Sequence, residues 1–186
     1  PQRFLGEAAT GLATFQDRLV VLCNNSVNSS KTSDYFNFFR ASIVTVAADD
    51  PVNFITIGGE DDVLRYALTY DRNLVLWGTG QYIVDGRKPF VPGAVSAVRM
   101  ASVKDALVSP PILGDRFMFY GKTRSDGTGT VHHLQPGRIQ EAPETFELSR
   151  RLKNYILGDV TEIKVANDPD YLYVRNAGDN YLKTFA

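Results

Sequence analysis

The two histidines of this chain stand side by side, His132-His133, so they are the first place to look for metal or acid–base chemistry. Successive side chains of a strand point to opposite faces, so this pair cannot grip one ion from a regular strand. No HxxxH or HExxH spacing and no cysteine partner completes a zinc site, because Cys23 is the sole thiol. The acids Asp49-Asp50 and Glu60-Asp61-Asp62 lack the alternating oxygen ligands, glycine turn and distal glutamate of a calcium loop. Asp49-Asp50-Pro51 reads instead as a turn between two strands with its acids exposed. "GTGQYI" (78–83) starts like a dinucleotide fingerprint, but a strand-like run follows where a helix is needed, so it reads as a hairpin turn. "RSDGTGT" (124–130) has turn chemistry and lacks the Lys-Ser/Thr of a phosphate loop. There is no Gly-x-Ser-x-Gly elbow, and Cys23 ends an apolar run, where it reads as a small buried hydrophobe. The reading is therefore of a non-enzyme with no catalytic, cofactor-binding or metal-binding residues and no cofactor.

The elements that would position such side chains are mostly strands. At 186 residues, 44% hydrophobic and 22% charged, the chain suits one globular domain or a large piece of one. A net charge of −1 argues against a dominant basic surface for nucleic acid. No apolar run approaches the roughly 18 residues of a membrane-spanning helix. The opening at Pro1 reads as an internal fragment of a longer polypeptide.

A weak repeat organises the sequence. "FQDRLVVL" (15–22), "TYDRNLVLWG" (69–78) and "LGDRFMFYG" (113–121) each set Asp-Arg before a short apolar run, and "NDPDYLYVRN" (167–176) is a looser fourth copy. A turn and a second strand-like run follow each, which places hairpins near 15–31, 69–86, 113–134 and 167–186. Hairpins recurring every 40–50 residues are the sequence mark of propeller blades, each a small antiparallel sheet covered by its neighbours. The expected fold is all-β with minor helix, a β-propeller-like array forming a single β-rich segment over 1–186. In the Asp-Arg pairs, Asp is expected to bond backbone amides at the start of the strand, and Arg to cover an aromatic or pair with the Asp. Further strand-like pieces are "ASIVTV" (41–46), "VNFITI" (52–57) and "VSAVRMASV" (95–103). Helix is expected over 60–68, with Val63, Leu64, Ala67 and Leu68 on one face, and over 143–156, with Phe146, Leu148, Leu152 and Ile156. Trp77, on the second hairpin, is expected in the core.

"SDYFNFF" (33–39) packs four rings into seven positions. With its flanks it resembles the tail nozzle proteins (tail tubular protein B) of short-tailed, T7-like bacteriophages. The matching elements are Phe15, Arg18 and Leu19; then Ser33, Asp34, Tyr35, Asn37, Phe38 and Phe39; then the turn Asp49, Asp50, Pro51 and Val52. Gln81 falls on a matching hairpin position, and Leu148, Tyr155, Ile156 and Gly158 fit a later link. That link's His and Pro are replaced, by Arg151 or nearby residues and by Asn154.

The resemblance implies a structural virion protein located in the tail. Its copies would form a homohexameric ring below the adaptor, contact the adaptor and tail fibres, and guide DNA through an axial channel during ejection. It also implies a propeller-like portion. On that reading Tyr35, Phe36, Phe38 and Phe39 pack as a staple in the core between blades, while Asp34 and Asn37 fix the turn. The competing class is a carbohydrate-binding or glycoside-cleaving propeller, with Trp77, Tyr82 and Tyr120 stacking on sugars. A generic interaction propeller is weaker, since the WD and kelch signatures are absent.

Overall fold

A computed structural model describes residues 4–57, 62–100, 109–115, 117–135, 144–152 and 154–186. Its strands form four antiparallel sheets, each an up-and-down meander following the last in chain order. The chain divides into two compact units, residues 1–104 and 105–186.

The first unit holds two four-stranded sheets. One contains β1 (Gly11–Phe15), β2 (Arg18–Cys23), β3 (Ser26–Ser29) and β4 (Asn53–Ile55). The other contains β5 (Leu64–Tyr70), β6 (Asn73–Gly78), β7 (Gln81–Val84) and β8 (Ala97–Arg99). The second strand of each carries a run closed to solvent: Val20, Leu22 and Cys23 on β2 and Leu74, Val75, Leu76 and Trp77 on β6. Near-continuous apolar runs of this kind mark strands covered on both faces. Phe15, Leu22, Val27, Leu64, Leu76 and Phe90 are among the side chains of one cluster that joins the two sheets. Phe15 meets Phe90 edge-on at 5.2 Å, in the T-shaped geometry aromatic pairs prefer. Gln16 fixes the pairing, donating to the carbonyls of Gly86 and Lys88 and accepting from the Phe90 amide. Between β1 and β5 the backbones come so close that a Cβ on Gly11 would lie 2.4 Å from the Arg65 carbonyl oxygen.

The second unit holds β9 (Ile112–Leu113), β10 (Met118–Thr123), β11 (Gly129–Gln135) and β12 (Glu144–Glu147), then the three-stranded sheet β13 (Val160–Asn167), β14 (Asp170–Asn176) and β15 (Lys183–Phe185). Val131, Ile156, Val160, Ile163, Leu172 and Val174 form its core. His132 and His133 sit in different surroundings, as their alternation requires. His132 stacks on Tyr120, whereas His133 packs among Phe117, Phe119 and Phe146.

Both expected helices are corrected. Residues 64–68 belong to β5, and residues 60–61 lie outside those described. A register shift between Leu64 and Tyr66 breaks the two-residue alternation, so Leu64 and Ala67 are both buried three positions apart. That bulge imitates a helical period in the sequence. In 143–156, β12 is followed by a single 3-10 turn, Leu148–Arg151, with residues 143 and 153 outside those described. Phe146 and Leu152 are exposed whereas Ile156 is buried, so the supposed apolar face does not exist. Asn154, at φ +62°, also ends any helical path. "ASIVTV" forms no strand, of "VNFITI" only β4 is a strand, and of "VSAVRMASV" only β8 is, with 101–103 outside the described residues.

The Asp-Arg repeat is real but is not aligned as written. Asp71 and Asp168 are each the first residue of the turn that joins the first and second strands of a sheet, and Asp115 lies within the connection 114–117 between β9 and β10. In the first copy Gln16 takes that place, Asp17 is second, and Arg18 is already the first residue of β2. Gln16-Asp17 and Asp71-Arg72 all have positive φ, the conformation of a two-residue hairpin turn. The one-residue displacement changes what Arg18 does.

Candidate functional site

The opening strands hold a long connection, residues 30–52, between β3 and β4. Arg18 is 2% exposed and reaches under the base of this loop. Its Nη1 donates to the carbonyls of Ser30 (2.9 Å) and Asp50 (2.7 Å), and Nη2 donates to that of Ala48 (2.9 Å). A planar guanidinium suits this task, since its forked donors reach several acceptors at once. Arg18 neither covers an aromatic nor forms an ion pair with Asp17, contrary to the expected role. Burial lowers its affinity for its proton, and the charges of Asp49 and Asp50 oppose that loss.

Asp17, at the neighbouring turn, accepts from the Ser33 hydroxyl and from the Tyr35 phenol (2.7 Å). Those two bonds hold its carboxyl below the ordinary range, and the bond to Asp17 with its charge pushes the Tyr35 phenol up. Lys31 pairs with Asp49 at 2.9 Å, which lowers the Asp49 carboxyl and raises the Lys31 ammonium. Backbone bonds close the frame: Lys31 to Asn37, Thr32 to Asp49 and Ser33 to Asp17. Asn37 Oδ1 accepts from the Phe39 amide, and Asp34 supplies its carbonyl to the Asn37 amide. Asp50 departs from the expected exposed turn acid. It is 1% exposed, and its Oδ2 accepts from the Ala47 amide.

The rings of "SDYFNFF" are not a core staple within this chain. Phe36 is 91% and Phe39 61% exposed, with Tyr35 also at the surface, while Phe38 meets Phe4 edge-on at 4.9 Å. Ile43 and Val44 stand fully in solvent a few residues on, with Val46 beside them. The outcome is an apolar tip presented by a tied-down base. Soluble proteins rarely leave such a patch without a use for it. Asp17 and Arg18 escaped the sequence reading as loop anchors, although the displaced first repeat was the available signal.

The second unit contributes a cleft of about 610 Å³, within the volume range of ligand-sized sites. Phe117, Tyr171 and Phe185 line it, with half-buried His133 at one side and Asp115 and Asp170 among its polar groups. Burial lowers the His133 ring toward its neutral form. Trp77 and Tyr82 are wholly buried, as is Tyr120, so none of the three offers a face to a sugar. Gln81 is closed to solvent as well. Among the described residues no three His, Cys, Asp or Glu side chains could hold a metal, and no helix is long and apolar enough to cross a membrane.

Residues 3–183 match the family model described as bacteriophage nozzle protein. The chain is also similar to tail tubular protein gp12 of Escherichia phage T7, at 22% identity over 179 residues, covering 95% of this chain and 22% of that protein. It thus spans about a fifth of that relative's length.

Proposed function

We propose, for a chain that belongs to the bacteriophage nozzle protein family, that it is a structural component of a phage tail and acts in the virion. The observation that carries this is the family match across 3–183. In finer detail, the protein is a subunit of a ring-shaped, homohexameric nozzle below the tail adaptor. It contacts the adaptor and tail fibres and lines a channel for DNA ejection without catalysing a reaction. The meanders succeeding one another along the chain support a propeller-like arrangement, in which each blade is a small antiparallel sheet. A net charge of −1 suits a conduit, because rings of Lys and Arg would hold the phosphates of passing DNA. The clamped apolar loop suits a subunit that buries surface on assembly. The sugar-binding reading lacks such support, since its proposed platform Trp77, Tyr82 and Tyr120 is buried.

Negative-stain electron microscopy of the protein, assembled with the neighbouring tail proteins, tests the reading. Six-fold rings with a central hole are expected. Particles that remain monomeric under all assembly conditions would overturn it.

A further inference from the structure

The loop and the cleft have complementary chemistry, and each is incomplete alone. Residues 33–46 present Phe36, Phe39, Ile43 and Val44 to solvent and carry one cation, Arg40, which is also exposed. The cleft of the second unit has aromatic walls and a buried Leu172, with Asp170 exposed at the turn that opens β14. No Lys or Arg lines the cleft among the described residues.

We propose that the 33–46 loop of one copy seats in the Phe117–Tyr171–Phe185 cleft of the next copy, with Arg40 meeting Asp170. This rests on the nozzle reading, which requires copies of the chain to associate, and adds the surfaces they use. The occupant is a second copy because the cation of the loop faces an acid of the cleft and apolar surface meets apolar surface. The base of the loop is already fixed by Arg18, Asp17 and Lys31, so docking orders few new bonds and keeps more of the gross interaction energy. A contact between two different patches is heterologous, and copies joined head to tail close into rings when the rotation allows. Exposed aromatics seated in a cleft are the usual energetic anchors of such contacts.

Two variants of the protein test this by sedimentation velocity. Phe36→Ser/Phe39→Ser spoils the loop and leaves the cleft, whereas Asp170→Lys/Tyr171→Ser spoils the cleft and leaves the loop. All four positions are exposed, so both variants keep the wild-type melting curve, checked by circular dichroism. Each alone is expected to associate at least about 30-fold more weakly than wild type. Mixed in equal amounts, they form heterodimers and stop there, because each pair retains one intact junction. In addition, Arg40→Glu weakens association, and adding Asp170→Lys to the same chain restores it. The contact is overturned if the mixture stays monomeric, or if either variant associates like wild type while rings still form. Wild-type protein that never associates overturns the contact and the nozzle reading together. Loop-dependent binding to phosphatidylglycerol vesicles, without complementation between variants, assigns the loop to a membrane and also overturns the contact.

Discussion

Replacing Arg18 with methionine keeps a long side chain under the loop and removes every donor. Three carbonyl oxygens, those of Ser30, Ala48 and Asp50, then lose a charged partner. The bonds to Ser30 and Asp50 are buried, and hydrogen bonds to charged groups contribute about 1.5–3 kcal/mol each. The gross loss is therefore about 3–6 kcal/mol. Part returns because the variant no longer desolvates a charge, and Ser30 retains a bond from the Ser29 hydroxyl. A net loss of about 3 kcal/mol follows, worth about 15 °C in Tm for a unit near 100 residues. The assay is thermal unfolding by circular dichroism beside amide exchange at Thr32, Ser33 and Asn37, whose amide bonds hold the frame of the loop. Exchange there is expected to rise well before global unfolding, and Arg18→Lys falls between wild type and Arg18→Met. A Tm shift under about 3 °C with unchanged exchange at these amides would refute the clamp.

Three further outcomes follow from the same geometry. Gly11→Ala pushes a Cβ into the Arg65 carbonyl where the two sheets of the first unit meet, costing about 2 kcal/mol in urea melts, within the usual range for overpacking. The carboxyls of Asp17 and Asp49 are depressed in the folded loop, so their stabilisation is full above the unfolded value of about 3.9 and fades as pH falls through the folded values. The protection factor of the Ser33 amide, its intrinsic rate over the observed rate at each pH, should accordingly fall below about pH 4, and a protection factor unchanged from about pH 5 to 2 would count against these bonds. His133 is lowered by burial, so the unfolded state takes up a proton first, and stability falls as pH drops below about 6.5 toward the folded value. Urea midpoints at pH 8 and pH 5 should show that fall, and His133→Phe should flatten it.

Local chemistry is where sequence and structure agree most closely. The apolar runs of β2, β6 and β10, the glycine-rich turns at 78–80 and 124–128 and the burial of Cys23 and Trp77 follow from residue type and short-range period alone. The all-β class follows for the same reason, because β-branched and aromatic residues between Gly, Asn and Asp leave a chain few alternatives. The helix expected at 60–68 failed because a bulge in β5 reproduces a helical spacing that only the partner strand resolves.

Other properties depended on which distant residues meet. Arg18 and Asp17 look like their counterparts at 71–72, yet a shift of one residue in the turn sends the guanidinium under the loop and the carboxylate to Ser33 and Tyr35. The aromatic heptapeptide reads as core by composition, since sequence counts rings but not the surface available to cover them. In the folded chain the clamp occupies the interior beneath the loop, and Phe36 and Phe39 are left outside. Hydrophobicity belongs to the residue, whereas burial is a property of its neighbours, and for this loop those neighbours are set by the tertiary fold.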